Sequence, residues 1–361
     1  MQVHQNVNQS RASRSGFTLV EVLMVVAIIG ILAGLIIPAV GIAYRTSIKR
    51  AISMEVITLA DAVEKYRSKY DEYPPDGSNA TVMERHLRKA FPNIATTELQ
   101  IFSKTYGTPV ANVNNGAPAG VMDPAEALVF FLGGFSDDPA FPFTGVGGPL
   151  FLTNMAGTQV NSSAASISTV QYNVDRVNSF YEFNQAQLTL GPSTTTTVSN
   201  DESELFAGTN DAVPAYHPKG KTAPFVYFNR STYTSGAFFN VYAPSGKGYA
   251  RPYRSDKENT KVASTPAMAN NRFPFMNSDT FQIISAGLDD SYGGIAMPSG
   301  AGGPTYFRFP SGSSTDFAGY PSSAPTIGTL TKYSDGAGQA SMQLDNSTNF
   351  AGGTLEDTLE N

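Results

Sequence analysis

One carboxylate stands at the edge of a long apolar stretch of the chain. Glu21 is followed by residues 22–44, in which no side chain carries a charge. A helix needs about 20 apolar residues to cross the ~30 Å hydrocarbon core of a bilayer, and this stretch is long enough. Because a carboxylate at the mouth of such a helix is costly in lipid, Glu21 indicates a partner and therefore a function.

Three further acids form a second group that could bind an ion. Asp289 and Asp290 lie in the glycine-containing loop 285–294, which follows a predicted strand, and Asp345 lies nearer the C-terminus. Calcium takes roughly 6–8 oxygen ligands from carboxylates, carbonyls and water. The three carboxylates are therefore candidate ligands of Ca²⁺. The alternative is a solvated turn whose acids face water.

Residues suited to catalysis are sparse. The three histidines, His4, His86 and His217, are far apart in the sequence and lack the spacing of zinc ligands. The chain has no cysteine that could act as a nucleophile. No glycine-rich loop follows a predicted strand and opens a helix, which is the arrangement that holds phosphate groups. We therefore predict that the chain is not an enzyme.

The composition of the 361 residues favours an exported, loop-rich domain. Only 15% of the residues are charged, and the formal net charge is −6. No basic patch predicts a nucleic-acid partner. Because the chain contains no cysteine, no disulfide can stabilise it, and its stability must come from core burial or a bound ion.

A stripe of apolar residues extends the helical pattern beyond the uncharged stretch. Its members recur at spacings of three and four residues, namely Ile52, Val56, Leu59, Val63, Tyr66, Tyr70 and Tyr73. This spacing is typical of an amphipathic helix, and Pro74-Pro75 supplies a stop signal. We predict one helix from Phe17 to about Asp71, with the stripe packed on an antiparallel sheet of its own domain. A coiled coil between subunits is the alternative.

Three residues within the uncharged stretch bear on how this helix packs and bends. Gly30 and Gly34 form a pair of small residues that lets helix backbones approach closely, although glycine is also simply common in membrane helices. Pro38 has no N–H and would leave the Gly34 carbonyl without its helical partner. We therefore predict a kink or loosened turn between Gly30 and Pro38.

The remainder of the chain, residues 74–361, reads as a globular domain with large loop insertions. Its second half carries six candidate strands, at 167–174, 177–183, 225–228, 238–242, 281–285 and 306–309. The predicted fold class is therefore α+β, with a long N-terminal helix on an antiparallel β-sheet.

The N-terminus resembles the cleavage and methylation signature of type IV pilins and of the pseudopilins of type II secretion. A polar leader containing Arg11 and Arg14 precedes the junction, and Glu21 is the fifth residue after it. The matching positions are Gly16, Phe17, Thr18, Leu19, Glu21 and Pro38. A secretory signal peptide has a shorter apolar region, and a plain membrane anchor needs neither the junction nor the acid.

This resemblance implies a processing pathway and roles for three residues. A prepilin peptidase would cut after Gly16, and the new amine of Phe17 would be methylated. Glu21 would then meet the Phe17 amine of a neighbouring subunit and set the register of a filament. The implied segments are the leader 1–16, the membrane and filament-core helix 17–44, its amphipathic continuation 45–73, and the domain 74–361.

The resemblance also implies a location and partners. The chain would span the bacterial inner membrane once, in contact with lipid, and place its C-terminal domain in the periplasm. Its partners would be other pseudopilins and the inner-membrane assembly platform. The loop 285–294 is similar to the calcium loop of the major pseudopilin, so the leading prediction is a structural subunit of a type II secretion pseudopilus. A type IV pilin or minor pilin and a membrane-anchored binding domain, for example for carbohydrate, are the alternatives.

Overall fold

The computed structural model describes most of the chain outside the leader. The described ranges are 16–77, 79–104, 124–164, 169–190, 213–233, 250–257, 273–293, 305–310, 314–318, 326–327 and 344–359. The chain divides between Ser47 and Ile48 into two compact units.

The first helix, α1, runs from Leu19 to Tyr70 and contains 52 residues, as the sequence predicts. It continues through Pro38, and the predicted kink there stays a prediction. The helix ends where Asp71 adopts a left-handed backbone conformation with φ +54°. The Asp71 N–H donates to the Arg67 carbonyl at 2.7 Å, which satisfies one of the last helical acceptors.

Four shorter helices accompany α1 in the described residues. They are α2 (Ala80–Ala90), α3 (Thr96–Lys104), α4 (Glu126–Leu132) and α5 (Leu355–Leu359). Asn79 caps α2, because its side-chain oxygen accepts the N–H groups of Thr81 and Val82. All seven residues of α4 are buried, as expected of a helix that is apolar on nearly every face.

The strands of the described residues form three small sheets. Their bounds are β1 Leu150–Thr153, β2 Gln159–Val160, β3 Thr169–Tyr172, β4 Val226–Asn229, β5 Arg254–Ser255, β6 Phe281–Ser285, β7 Thr305–Phe309, β8 Ser314–Ala318, β9 Thr326–Ile327 and β10 Ser347–Thr348. The sheet orders are β2-β1-β3, β10-β6-β4 and β5-β7-β8-β9. The named pairings are antiparallel except that of β5 with β7. The α+β class is confirmed, with strands distributed over several small sheets.

The apolar stripe of α1 is buried within its own chain. Val56, Leu59 and Val63 have no exposed surface. The ring of Tyr66 lies 5.7 Å from that of Phe131 in α4, measured between centroids. Full burial of a side chain of this size stabilises a fold by about 1.5–3 kcal/mol. The stripe therefore joins the core of its own domain, as predicted, and is not free to form a coiled coil.

The strand predictions have mixed outcomes. The segments 225–228, 281–285 and 306–309 correspond to β4, β6 and β7, and part of 167–174 forms β3. The segment 238–242 lies outside the described residues.

The predicted strand at 177–183 is wrong. The N–H groups of Phe180 and Tyr181 both donate to the Leu132 carbonyl, at 2.8 and 3.1 Å. Asn178 adopts a left-handed conformation with φ +57°. The segment therefore crosses the C-terminal end of α4 and satisfies a helical acceptor there, and its backbone is not extended for pairing with a strand.

A buried histidine connects α2 with α1. The Nε2 atom of His86 lies 2.8 Å from the Tyr66 hydroxyl, and its Nδ1 atom lies 3.3 Å from the Glu72 carboxylate. Burial lowers the pKa of His86 below its usual value of 6.5 and outweighs the opposite effect of Glu72. The folded protein therefore favours the neutral imidazole.

We expect the free energy of unfolding to decrease as the pH falls below about 6.5, where the unfolded chain protonates this histidine. The folded chain takes up the proton only at lower pH, and each unit of lowered pKa costs about 1.4 kcal/mol. Denaturant unfolding at a series of pH values measures this dependence. His86→Gln should weaken it, whereas His217→Gln should leave it in place. An equal pH dependence in both variants would contradict the assignment.

Candidate functional site

The N-terminal junction is organised by a hydrogen-bonded cap at the start of α1. The Glu21 Oε2 atom accepts the Thr18 N–H at 2.8 Å and the Thr18 hydroxyl at 2.9 Å. In return, the Thr18 hydroxyl oxygen accepts the Glu21 N–H at 3.2 Å. This reciprocal arrangement is a capping box, which satisfies N–H groups that a helix start leaves without partners. Thr18 and Glu21 thus fix where α1 begins.

The capping role of Thr18 is absent from the predictions above, although the sequence contains a signal for it. A Thr followed three residues later by Glu, directly before an apolar run, is the pattern of a capping box. The bonds from Thr18 all reach a single oxygen of Glu21, Oε2. The cap therefore holds the carboxylate at the helix start and leaves Oε1 for a further interaction.

The junction between Gly16 and Phe17 is open. A Cβ atom added at Gly16 would meet no atom within 4 Å, so packing does not require glycine at this position. Phe17 is 88% exposed. An exposed bond next to a residue without a side chain suits cleavage by a peptidase.

The N-terminal part of α1 presents an apolar surface. The large apolar side chains from Leu19 to Tyr44 are each 50% exposed or more. By length and composition, α1 contains a segment able to cross a membrane. Added Cβ atoms at Gly30 and Gly34 would meet nothing within 4 Å, so packing among the described residues does not require glycine at these positions. The apolar helix is consistent with membrane anchoring.

Strand pairing brings two of the three predicted calcium ligands together. Ser347 of β10 pairs with Ser285 of β6, which places Asp345 beside the loop that follows β6. The Asp345 Oδ2 atom accepts the N–H groups of Leu288 and Asp289, at 2.5 and 2.9 Å. Two acids that are far apart in the sequence are therefore neighbours in the fold.

The third acid of this group has a different role. The Asp290 Oδ1 atom accepts the N–H groups of Thr222 and Ala223, at 2.9 and 2.7 Å. Its Oδ2 atom accepts the Thr222 hydroxyl at 2.6 Å. Asp290 thus fastens the loop to the turn that precedes β4.

The electrostatics of the Asp289–Asp345 pair suit a cation in part. Burial raises the pKa of Asp289 to about 6, and the nearby charge of Asp345 is the second cause. Burial also raises the pKa of Asp345. A cation would relieve both effects. Among the described residues, however, no group of three or more His, Cys, Asp or Glu side chains is arranged to hold a metal ion. Calcium binding stays a prediction.

Gly287 is the position in this loop where a side chain should be most harmful. Its φ is +67°, and an added Cβ would lie 2.2 Å from the Asp345 carbonyl oxygen. We expect Gly287→Ala to lose roughly 1–3 kcal/mol of stability from backbone strain, and more from displacing Asp345. Thermal and denaturant unfolding measure the loss.

Gly220 provides the matched control for this prediction. Its φ is +73°, and an added Cβ would meet nothing within 4 Å. Gly220→Ala therefore introduces the strain without the collision, and it should be less destabilising than Gly287→Ala. Equal losses of unfolding free energy in the two variants would show that the collision with Asp345 does not affect stability.

The open junction, the capped helix start and the exposed apolar helix all lie in one short segment of the chain. Residues 11–37 match the family model described as the prokaryotic N-terminal methylation motif, which is the signature of type IV pilins and pseudopilins. The motif implies processing by a prepilin peptidase and assembly into a filament. Comparison with curated proteins and with solved structures gave no match.

Proposed function

We propose that the chain is a structural subunit of the pseudopilus of a type II secretion system, assembled through α1 after cleavage behind Gly16. The observation that carries this proposal is the junction itself. An open Gly16–Phe17 bond, a carboxylate held at the helix start by Thr18 and an exposed apolar helix all lie within or beside the matched motif. The open bond suits cleavage, the apolar helix suits anchoring in a membrane, and the carboxylate suits pairing between subunits in a filament.

The assembly step follows from the charges at this junction. Cleavage would create a positively charged amine on Phe17, and Glu21 carries the nearest negative charge on the helix. Either charge alone is costly in an apolar helix bundle, whereas a pair between neighbouring subunits neutralises both. The Oε1 atom of Glu21, which lies outside the capping bonds, is suited to receive the amine of the next subunit.

The loop after β6 favours a pseudopilus over a type IV pilus within this proposal. Its sequence is similar to the calcium loop of the major pseudopilin, and the fold adds Asp345 to it. We accordingly place the globular domain in the periplasm and the apolar helix in the inner membrane. Other pseudopilins and the inner-membrane assembly platform are the partners.

Deletion of the gene for this chain tests the proposal directly. We expect proteins destined for export to accumulate in the periplasm, surface motility to persist, and the wild-type gene to restore secretion. Loss of motility or surface pili with normal secretion would favour a type IV pilin instead. If neither process changes, the filament proposal fails and a membrane-anchored binding domain becomes the better interpretation.

Calcium binding by Asp289 and Asp345 has its own test. We expect calcium to raise the unfolding temperature of the chain, because a ligand that binds only the folded state at about 100 times its Kd adds about 2.7 kcal/mol. Asp289→Asn should abolish the shift, since it removes one carboxylate but keeps an oxygen to accept the Ser291 N–H. Magnesium is the control ion. An unchanged unfolding temperature in the wild-type chain would exclude a calcium site without affecting the filament proposal.

A further inference from the structure

A polar cleft opens where α1 ends, within the compact unit that begins at Ile48. It has a volume of about 760 Å³ and lies between the end of α1, α2, the turn after β4 and the turn before β6. Clefts of roughly 300–1,000 Å³ are the usual size of small-molecule sites. None of its lining residues belongs to the N-terminal junction or to the loop after β6, so its chemistry requires a separate explanation.

Three arginines from different elements line this cleft. They are Arg67 of α1, Arg85 of α2 and Arg230 of the turn after β4. Their side chains are 54%, 63% and 55% exposed. The fold brings these three cations to one cleft, since no run of basic residues in the sequence contains all of them.

The guanidinium groups keep most of their donors for a ligand. Arg67 donates to the Tyr73 hydroxyl at 3.1 Å and lies 3.6 Å from the Glu64 carboxylate. Arg85 uses one nitrogen for Glu72 at 2.9 Å. Arg230 lies 3.7 Å from the Asp279 carboxylate, which is longer than a hydrogen bond. Each guanidinium has five N–H donors in a fork that matches a carboxylate.

Three carboxylates share the cleft with these arginines. Asp71, Glu72 and Asp279 contribute to its lining. Carboxylate oxygens only accept hydrogen bonds, so they select a ligand that carries donors as well as an anion. A polyphosphate carries several negative charges, so these acids would repel it more strongly than they would repel a single carboxylate. A neutral sugar would bring no further anion to the guanidinium groups, whose present carboxylate partners are Glu64, Glu72 and Asp279.

We propose that this cleft binds a carboxylated sugar, such as a uronic acid unit of an acidic polysaccharide. The sugar carboxylate pairs with Arg85 or Arg230 in the strong, charge-assisted manner of guanidinium–carboxylate contacts. Its hydroxyl groups donate to Glu72 and Asp279. An acidic peptide also offers carboxylates, but its further donors are single backbone N–H groups, whereas each sugar unit presents several hydroxyl groups beside its carboxylate.

Calorimetric titration of the full-length chain in detergent with a short oligomer of galacturonic acid tests this proposal. We expect the double variant Arg85→Gln, Arg230→Gln to weaken binding at least about tenfold, because each lost hydrogen bond to a charged group is worth more than a neutral one. A neutral galactose oligomer of the same length should bind the wild-type chain at least about tenfold more weakly.

Arg88→Gln is the matched control. Arg88 belongs to the same helix, is 55% exposed and pairs with Glu84 at 2.7 Å, yet it does not line the cleft. Its variant should bind like the wild type, and the melting temperatures of all variants verify that they fold. The proposal fails if the wild-type chain does not bind the galacturonic acid oligomer, or if it binds the neutral oligomer or polyglutamate equally tightly. It also fails if Arg88→Gln weakens binding as much as the double variant does. The comparison of the charged and neutral oligomers uses the wild-type chain alone, so it tests the proposal even if a variant fails to fold.

Discussion

Replacing Gly16 with valine is expected to leave the chain uncut and to abolish filament assembly. The structure gives Gly16 no role in packing, since an added Cβ would meet no atom within 4 Å. Its role is therefore assigned to recognition by the peptidase, where a branched side chain next to the scissile bond is a steric obstacle. Intact mass of the membrane-extracted protein distinguishes a full-length chain from one that starts at methylated Phe17.

Gly41→Val is the control for this experiment. Gly41 lies in α1, and an added Cβ there would also meet nothing within 4 Å. This variant should be cut and methylated like the wild type, which would restrict the effect to the junction. A wild-type chain that begins at Met1, or one that is cut near Ala43, would contradict entry into the prepilin pathway.

The helical part of the fold is predictable because its determinants are local in sequence. The spacing of Ile52, Val56, Leu59 and Val63 defines one face of a helix, and the structure buries these four residues. The stop before Pro74 likewise depends on neighbouring residues only. Such patterns need no knowledge of what the face packs against.

The sheets are less predictable because strand pairing joins distant segments. β10 pairs with β6 across about sixty residues of sequence, and nothing local specifies that register. The segment 177–183 shows the reverse error: Phe180, Tyr181 and Phe183 pack against the core without forming a strand. Apolar content predicts burial, whereas the backbone partner depends on the tertiary structure.

The same distinction applies to the functional residues. Gly16, Phe17 and Glu21 lie within a few residues of one another, so the junction is visible in the sequence. The proximity of Asp345 to Asp289 requires the β10–β6 pairing. The contact of Asp290 with Thr222 is also long-range, and the spacing of residues in the sequence does not predict it. The cleft proposed to bind acidic sugars is assembled from four elements, and sequence patterns gave no indication of it.

Replacing Glu21 with glutamine is expected to abolish filament formation while leaving cleavage intact. Glutamine keeps a side-chain oxygen that can accept the Thr18 N–H and hydroxyl, so the helix start should be preserved. It removes the negative charge that would neutralise the Phe17 amine of the next subunit, and an amine left alone in an apolar bundle is strongly unfavourable. Filaments sheared from cells, with intact mass of the membrane fraction, measure both effects.

Thr18→Val separates the charge of Glu21 from its capping role. Valine removes the hydroxyl that donates to the Glu21 Oε2 atom and accepts the Glu21 N–H, yet the carboxylate remains. If pairing between subunits is the main function of Glu21, Thr18→Val should lower the filament yield only partly, and Glu21→Gln should eliminate it. The opposite order would mean that the capping box governs assembly. Filaments from Glu21→Gln at the wild-type level would exclude the charge pair, because that variant changes the charge and little else.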